Sequence, residues 1–139
     1  MPKIRHIAIA TNDPEATAAF YKKAFDFKEV GRANSHLATG VYLSDGTLNL
    51  AVLKFKTDQL GKGLDYTGVH HFGVLVDDLD AWTEKLEGLG ADCFIRRPEG
   101  ATTSYFEVKF HGPDGLVFDI AEHPWLGSAP AEAESEAVG

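Results

Sequence analysis

Cysteine is almost missing from this chain: there is one, Cys93, in 139 residues. A single thiol excludes an intrachain disulfide framework and points to a reducing compartment. Basic residues are in the minority too, with 13 Lys and Arg against 21 Asp and Glu, a net charge of −8. That balance argues against nucleic acid or an anionic membrane as partner. It says little about small substrates, because a local pocket can be basic in an acidic protein. No N-terminal stretch has the charged-then-apolar form of a signal peptide, and no apolar run is long enough to span a bilayer. The expectation is a soluble cytoplasmic protein that contacts neither nucleic acid nor membrane. The length fits one compact domain, or two small modules sharing a core.

What the chain does have is an internal repeat. His71-Phe72-Gly73-Val74-Leu75-Val76-Asp77-Asp78-Leu79-Asp80-Ala81-Trp82 follows the layout of His6-Ile7-Ala8-Ile9-Ala10-Thr11-Asn12-Asp13-Pro14-Glu15-Ala16-Thr17. Each copy opens on His, continues as an apolar run of strand length, meets an acidic cap and enters a helical pattern. A fixed internal repeat signals a duplicated structural unit.

In the first unit a strand is predicted over 4–10. Asp13-Pro14 starts a helix, Asp capping free amides and Pro fitting the first helical position. Ala16, Phe20 and Ala24 recur at helical spacing through about Phe25. Strands over 27–32 and 37–43 flank a polar turn at Asn34-Ser35. Asp45-Gly46 is a hairpin signal leading into a strand over 47–55. The second unit repeats the order: strand 69–76, helix 78–89, strand 92–96, a loop, strand 104–111, a turn at Pro113-Asp114-Gly115, strand 116–122. Its helix carries Leu79, Trp82, Leu86 and Leu89 as an apolar stripe, and Gly90 stands where a helix-ending glycine belongs. The modules therefore span 1–55 and 69–126. Residues 56–68 are a Gly-rich linker, and 127–139 an acidic tail without a packing pattern, expected to be disordered. The fold class is α+β, βαβββ twice, with one helix per module covering one sheet face.

Strand alternation assigns faces. Ile7, Ile9, Leu48, Leu50, Phe72, Val74, Val76, Phe106, Val108, Phe110, Phe118 and Ile120 fall on the helix side. His6, Ala8, Asn49, Ala51, His71, Gly73, Tyr105, Glu107, Lys109, Asp119 and Ala121 fall on the other. There a polar residue is followed two positions on by Ala or Gly four times over, which leaves space that plain protein packing would fill. His6, His71 and Asp119 together supply two imidazoles and a carboxylate, good ligands for Fe, Mn, Zn, Ni or Co. Asn49 is a weaker fourth ligand or a hydrogen-bonding group. The alternative for each is a buried, hydrogen-bonded structural role. Alternation sends His70 to the other face as a strand-end residue, and puts His36, His111 and His123 near turns or strand ends.

These features resemble the vicinal oxygen chelate superfamily: the doubled βαβββ pattern, the strand-initial His6 and His71, and the closing Gly112-Pro113-Asp114-Gly115-Leu116-Val117-Phe118-Asp119-Ile120. The resemblance covers residues 3–123. It implies that the modules pack edge to edge, curving a mixed sheet into a cup around one divalent metal ion. It implies His6 and His71 as first-strand ligands and Asp119 as the carboxylate ligand, one methylene shorter than the usual Glu. Asn49 falls where Glu, Gln or His is common. With Glu missing at both positions, Glu107 is the candidate proton-moving base, flanked by Tyr105 and Lys109 as substrate-binding groups. The implied activity is a glyoxalase- or epimerase-like lyase or isomerase acting on a small oxygen-chelating metabolite. Extradiol-type ring-cleaving dioxygenation and non-catalytic binding of the bleomycin resistance type are the alternatives. A homodimer is expected by analogy with the fold.

Overall fold

A computed structural model describes residues 1–96 and 107–123. The elements run β1 (Lys3–Ala10), α1 (Pro14–Phe25), β2 (Lys28–Asn34), β3 (Ala38–Ser44), β4 (Asn49–Phe55), β5 (Gly68–Leu75), α2 (Leu79–Gly88), β6 (Asp92–Ile95), β7 (Val108–His111), a 3-10 turn at Pro113–Gly115, and β8 (Val117–Ala121). All eight strands form one curved mixed sheet in the order β2-β3-β4-β1-β5-β8-β7-β6. Each module contributes half, its own first strand innermost, and the halves join through antiparallel pairing of β1 with β5. Within each module the first strand runs parallel to the last, β1 beside β4 and β5 beside β8.

Both helices start by the same device. The Asp13 carboxylate accepts from the Ala16 amide at 3.1 Å, and that of Asp78 from Ala81 at 3.0 Å, each satisfying an amide that has no partner inside its helix. Gly90, just past the second helix, takes φ +98, a backbone that strains any residue with a Cβ. Helix α1 sets Ala18 and Tyr21 against Val41, Leu43 and Val52. Helix α2 sets Leu79, Trp82 and Leu86 against Val76, Val108, Phe110 and Ile120.

The packing departs from the sequence expectation in three places. Ala16, Phe20 and Ala24 face solvent, with Phe20 62% exposed. So many alanines in α1 blur its stripe, and close approach to the sheet selects the register with small Ala18 at the contact. Leu89 is 75% exposed, because the chain leaves α2 there. Ile7 is 36% exposed and Phe72 only half-buried. The helices lie over the flanks of the sheet, α1 against β3 and β4 and α2 over β6, β7 and β8, so the central β1–β5 seam is thinly covered on the outer face.

Two β-bulges break the alternation. Pairing of β1 with β5 steps from Ile4↔Val74 to His6↔Gly73, leaving Arg5 extra. It steps again from Ala8↔His71 to Ile9↔Val69, leaving His70 extra. A bulge re-aims a side chain by one position, so Arg5 joins His6, and His70 joins His71, on the same buried side. The expectation that His70 turns to the other face is therefore corrected. The strand over 104–106, Phe106, Trp125 and the tail lie outside the described residues.

Candidate metal centre

The register places one row of residues across six strands: Ser44, Asn49, His6, Gly73, Asp119 and Lys109, each paired with the next. His71 sits two rows away on the same face, opposite Ala8. The repeated spacing of His and small residue thus meets itself about the central Ile7–Phe72 pair. Each histidine lies across from the other strand's small residue. Gly73 leaves room, as expected, but the room is taken by protein. A Cβ there would stand 2.2 Å from His6 Cε1 and 2.6 Å from Asp119 Oδ1.

This arrangement brings three donor atoms together. His6 Nε2 and His71 Nε2 are 3.2 Å apart. Asp119 Oδ2 is 3.1 Å from His71 Nε2 and 3.7 Å from His6 Nε2. All three side chains are fully buried. Donors held about 2.0–2.1 Å from one ion are separated by about 2.9 Å at a right angle and about 3.4 Å at a tetrahedral angle. Two of the observed spacings, 3.1 and 3.2 Å, fall in that range and the third, 3.7 Å, lies just above it, so the cluster is of the size and composition to coordinate one divalent ion.

The protonation states agree with the spacing. Burial holds His71 down to about 4, with Lys109 acting in the same direction. Burial likewise holds His6 well below its usual value, against the pull of Asp119. Both imidazoles are therefore neutral, the ligating form. Burial would raise Asp119, but Lys109, His6 and His71 outweigh it and keep the carboxyl well below the usual range.

Around the triad lies a buried charge network. Lys109 Nζ donates to Asp119 Oδ2 at 3.1 Å and stands 3.6 Å from Glu107 Oε1. Burial works against its charge, and Asp119 and Glu107 more than restore it. Arg5 pairs with Glu107 Oε2, approaches Asp119 Oδ1 at 3.8 Å, and donates to the His123 carbonyl at 2.9 Å. Burial, then Asp119, pushes Glu107 up to about 7, against Lys109 and Arg5. Glu107 Oε1 is buried and accepts no hydrogen bond among the described residues.

Of the residues singled out from the sequence, His6, His71 and Asp119 converge, and Glu107 and Lys109 stand beside them. Asn49 is buried next to His6 in the row. Tyr105 lies outside the described residues. Strict alternation misses Arg5 and His70. Their signal is nonetheless in the repeat: both copies place a basic residue directly before the strand histidine, Arg5-His6 and His70-His71.

Two βαβββ modules joined edge to edge, with a His, His, Asp cluster on the inner face, define a paired-module protein with a metal-capable centre. The chain belongs to the Glyoxalase/Bleomycin resistance protein/Dioxygenase superfamily, whose model matches residues 3–120. Among solved structures it is similar to Streptomyces coelicolor methylmalonyl-CoA epimerase in complex with 2-nitronate-propionyl-CoA, at 23% identity and TM-score 0.71, covering 86% of this chain and 96% of that one. A hypothetical protein of Bacillus halodurans C-125 superposes at TM-score 0.72 with 15% identity, covering 96% and 99%. The Mycobacterium tuberculosis methylmalonyl-CoA epimerase gives TM-score 0.62 at 18% identity, covering 88% of each. Among curated proteins none matches.

Proposed function

We propose that this chain is a divalent-metal-dependent lyase or isomerase that moves a proton next to a carbonyl of a small, oxygen-chelating metabolite. The observation that carries the reading is the convergence of His6 Nε2, His71 Nε2 and Asp119 Oδ2 at 3.1–3.7 Å, fully buried. His6, His71 and Asp119 would hold the ion. When bound, it supplies a Lewis acid that withdraws charge from a chelated substrate oxygen. The chain's own residues do the rest. Glu107 Oε1, without a hydrogen bond from the described residues, takes the substrate proton, while the Arg5 pair fixes the other oxygen. Lys109 sets a positive charge beside the centre, where negative charge develops on the substrate. A base whose proton affinity lies near neutrality suits both taking and returning a proton.

The substrate class we favour is an acyl thioester with a second oxygen in chelating reach. The epimerase complex named above supports it, since its ligand is a CoA derivative. The test is solvent exchange. Protein supplied with Co(II) or Zn(II) is incubated with an α-branched acyl-CoA in deuterated water, and the α-position is followed by proton NMR. Deuterium should enter with wild type and fall at least tenfold with Glu107→Gln. No exchange with any such thioester would contradict the reading.

One observation favours non-catalytic binding instead. The Lys109 ammonium bonds the same Asp119 oxygen that the ion would take, so the centre also has a metal-free charge balance. We further propose a cytoplasmic homodimer, for which the thinly covered Ile7–Phe72 seam offers apolar surface. Light scattering at micromolar concentration should give twice the 15.1 kDa chain mass; the mass of one chain would contradict it.

A further inference from the structure

His71 presents Nε2 to the triad, and its other nitrogen, Nδ1, lies 2.8 Å from Nδ1 of His70. This contact exists because the bulge turns His70 to the buried side. The His70 ring is held there by a face-to-face stack on Phe55, with centroids 3.7 Å apart and planes 8° apart. Two nitrogens at that distance share one proton, so one ring carries it on Nδ1 and the other accepts it there. If His70 donates, the His71 proton is on Nε2, aimed among the donors, and that nitrogen cannot bind an ion. If His71 donates, Nε2 is bare, and the His70 proton moves to its own Nε2. Gln59 lines the same narrow space as His70 and has a buried amide oxygen that receives no hydrogen bond from the described residues. That oxygen is an acceptor of the kind the second proton needs.

We propose that His70 is a positioning residue for the metal centre: it accepts the Nδ1 proton of His71 and so orients that ring and leaves Nε2 bare for an ion. The inference rests on the metal reading of His6, His71 and Asp119. In metal sites the hydrogen bond on a ligating histidine's far nitrogen sets tautomer and ring angle, and losing it typically costs about 10–100-fold in affinity.

The test uses Zn(II), which is diamagnetic, with the full chain. Competition against a chromophoric chelator gives the Zn(II) affinity of wild type, His70→Phe and His70→Asn. The Phe ring keeps the stack on Phe55 but offers no acceptor. The Asn side chain offers an oxygen near the place of Nδ1. Affinity should fall about 10–100-fold in His70→Phe and recover most of the way in His70→Asn. Long-range proton–nitrogen correlation spectra of Zn(II)-loaded wild type should show His71 protonated on Nδ1 and His70 on Nε2. Wild-type affinity in His70→Phe, or His70 protonated on Nδ1 in the loaded protein, overturns the inference and leaves the metal reading standing. Failure of wild type to bind Zn(II) or any other divalent ion overturns both. Should His70→Phe not fold, the wild-type spectrum and His70→Asn decide.

Discussion

Replacing Gly73 with alanine adds one methyl group in the middle of the candidate centre. The new Cβ would lie 2.2 Å from His6 Cε1, 2.4 Å from His6 Nδ1 and 2.6 Å from Asp119 Oδ1. Ordinary contact between such atoms needs about 3.5 Å, so the His6 ring must retreat by about 1 Å. It has little freedom to do so, with the His71 ring against it at 5.2 Å in an edge contact. Gly73 is not among the positive-φ glycines, so its backbone accepts alanine. Backbone freedom alone would then favour the variant by about 0.4–1 kcal/mol, while overpacking a filled site costs about 1–3 kcal/mol. The net expectation is a loss of about 1–2 kcal/mol in urea unfolding. Displacing one donor should also lower Zn(II) affinity by at least about tenfold, the equivalent of 1.4 kcal/mol. Gly88→Ala is the control. It lies at the end of α2, where an added Cβ meets nothing within 4 Å, and should raise stability by up to about 1 kcal/mol. A Gly73→Ala protein as stable as wild type and binding Zn(II) equally well would refute the reasoning.

Other perturbations follow from the same geometry. Arg5→Met removes one of the two cations beside Glu107 and the hydrogen bond to the His123 carbonyl; stability at pH 7 should drop by about 1–3 kcal/mol in urea melts, and an unchanged midpoint would contradict the pairing. Asp45 accepts from the amides of Thr47 at 2.8 Å and Leu48 at 2.7 Å, which lower its pKa. Its contribution is therefore present above the unfolded carboxyl pKa and is lost as pH falls through the lower folded value. Asp45→Ala should cost about 1 kcal/mol at pH 7 and less at pH 2, as read from the two urea midpoints. Burial raises the Cys93 thiol, so at pH 7.5 it should react with iodoacetamide more slowly than glutathione does; an equal or faster rate would contradict that environment.

The repeat was legible because two copies of one pattern corroborate each other. Asp13 and Asp78 cap their helices where the sequence placed those starts, and alternation carried His6, His71 and Asp119 to one face. What alternation could not show is the register between strands. That register sets Asp119 beside Gly73, which on its other side pairs with His6, and it turns the space beside Gly73 into a seat for the His6 ring rather than for a ligand. Bulges were illegible for the same reason: they are a property of two strands together, and Arg5 and His70 read singly look like outward residues. Helix α1 misled because alanine is apolar enough to join any stripe and small enough to sit anywhere. Only packing against Val41, Leu43 and Val52 selects the Ala18 side.

The most direct test of the central claim is metal content. Untagged protein, purified without chelator, would be measured by plasma mass spectrometry beside His6→Ala, His71→Ala and Asp119→Asn. The geometry predicts close to one transition-metal ion per chain in wild type and its loss in all three variants. Wild type that carries no metal, and whose melting temperature does not move with added Zn(II), Co(II), Mn(II), Ni(II) or Fe(II), would contradict the account and leave the inner face as a buried charge cluster.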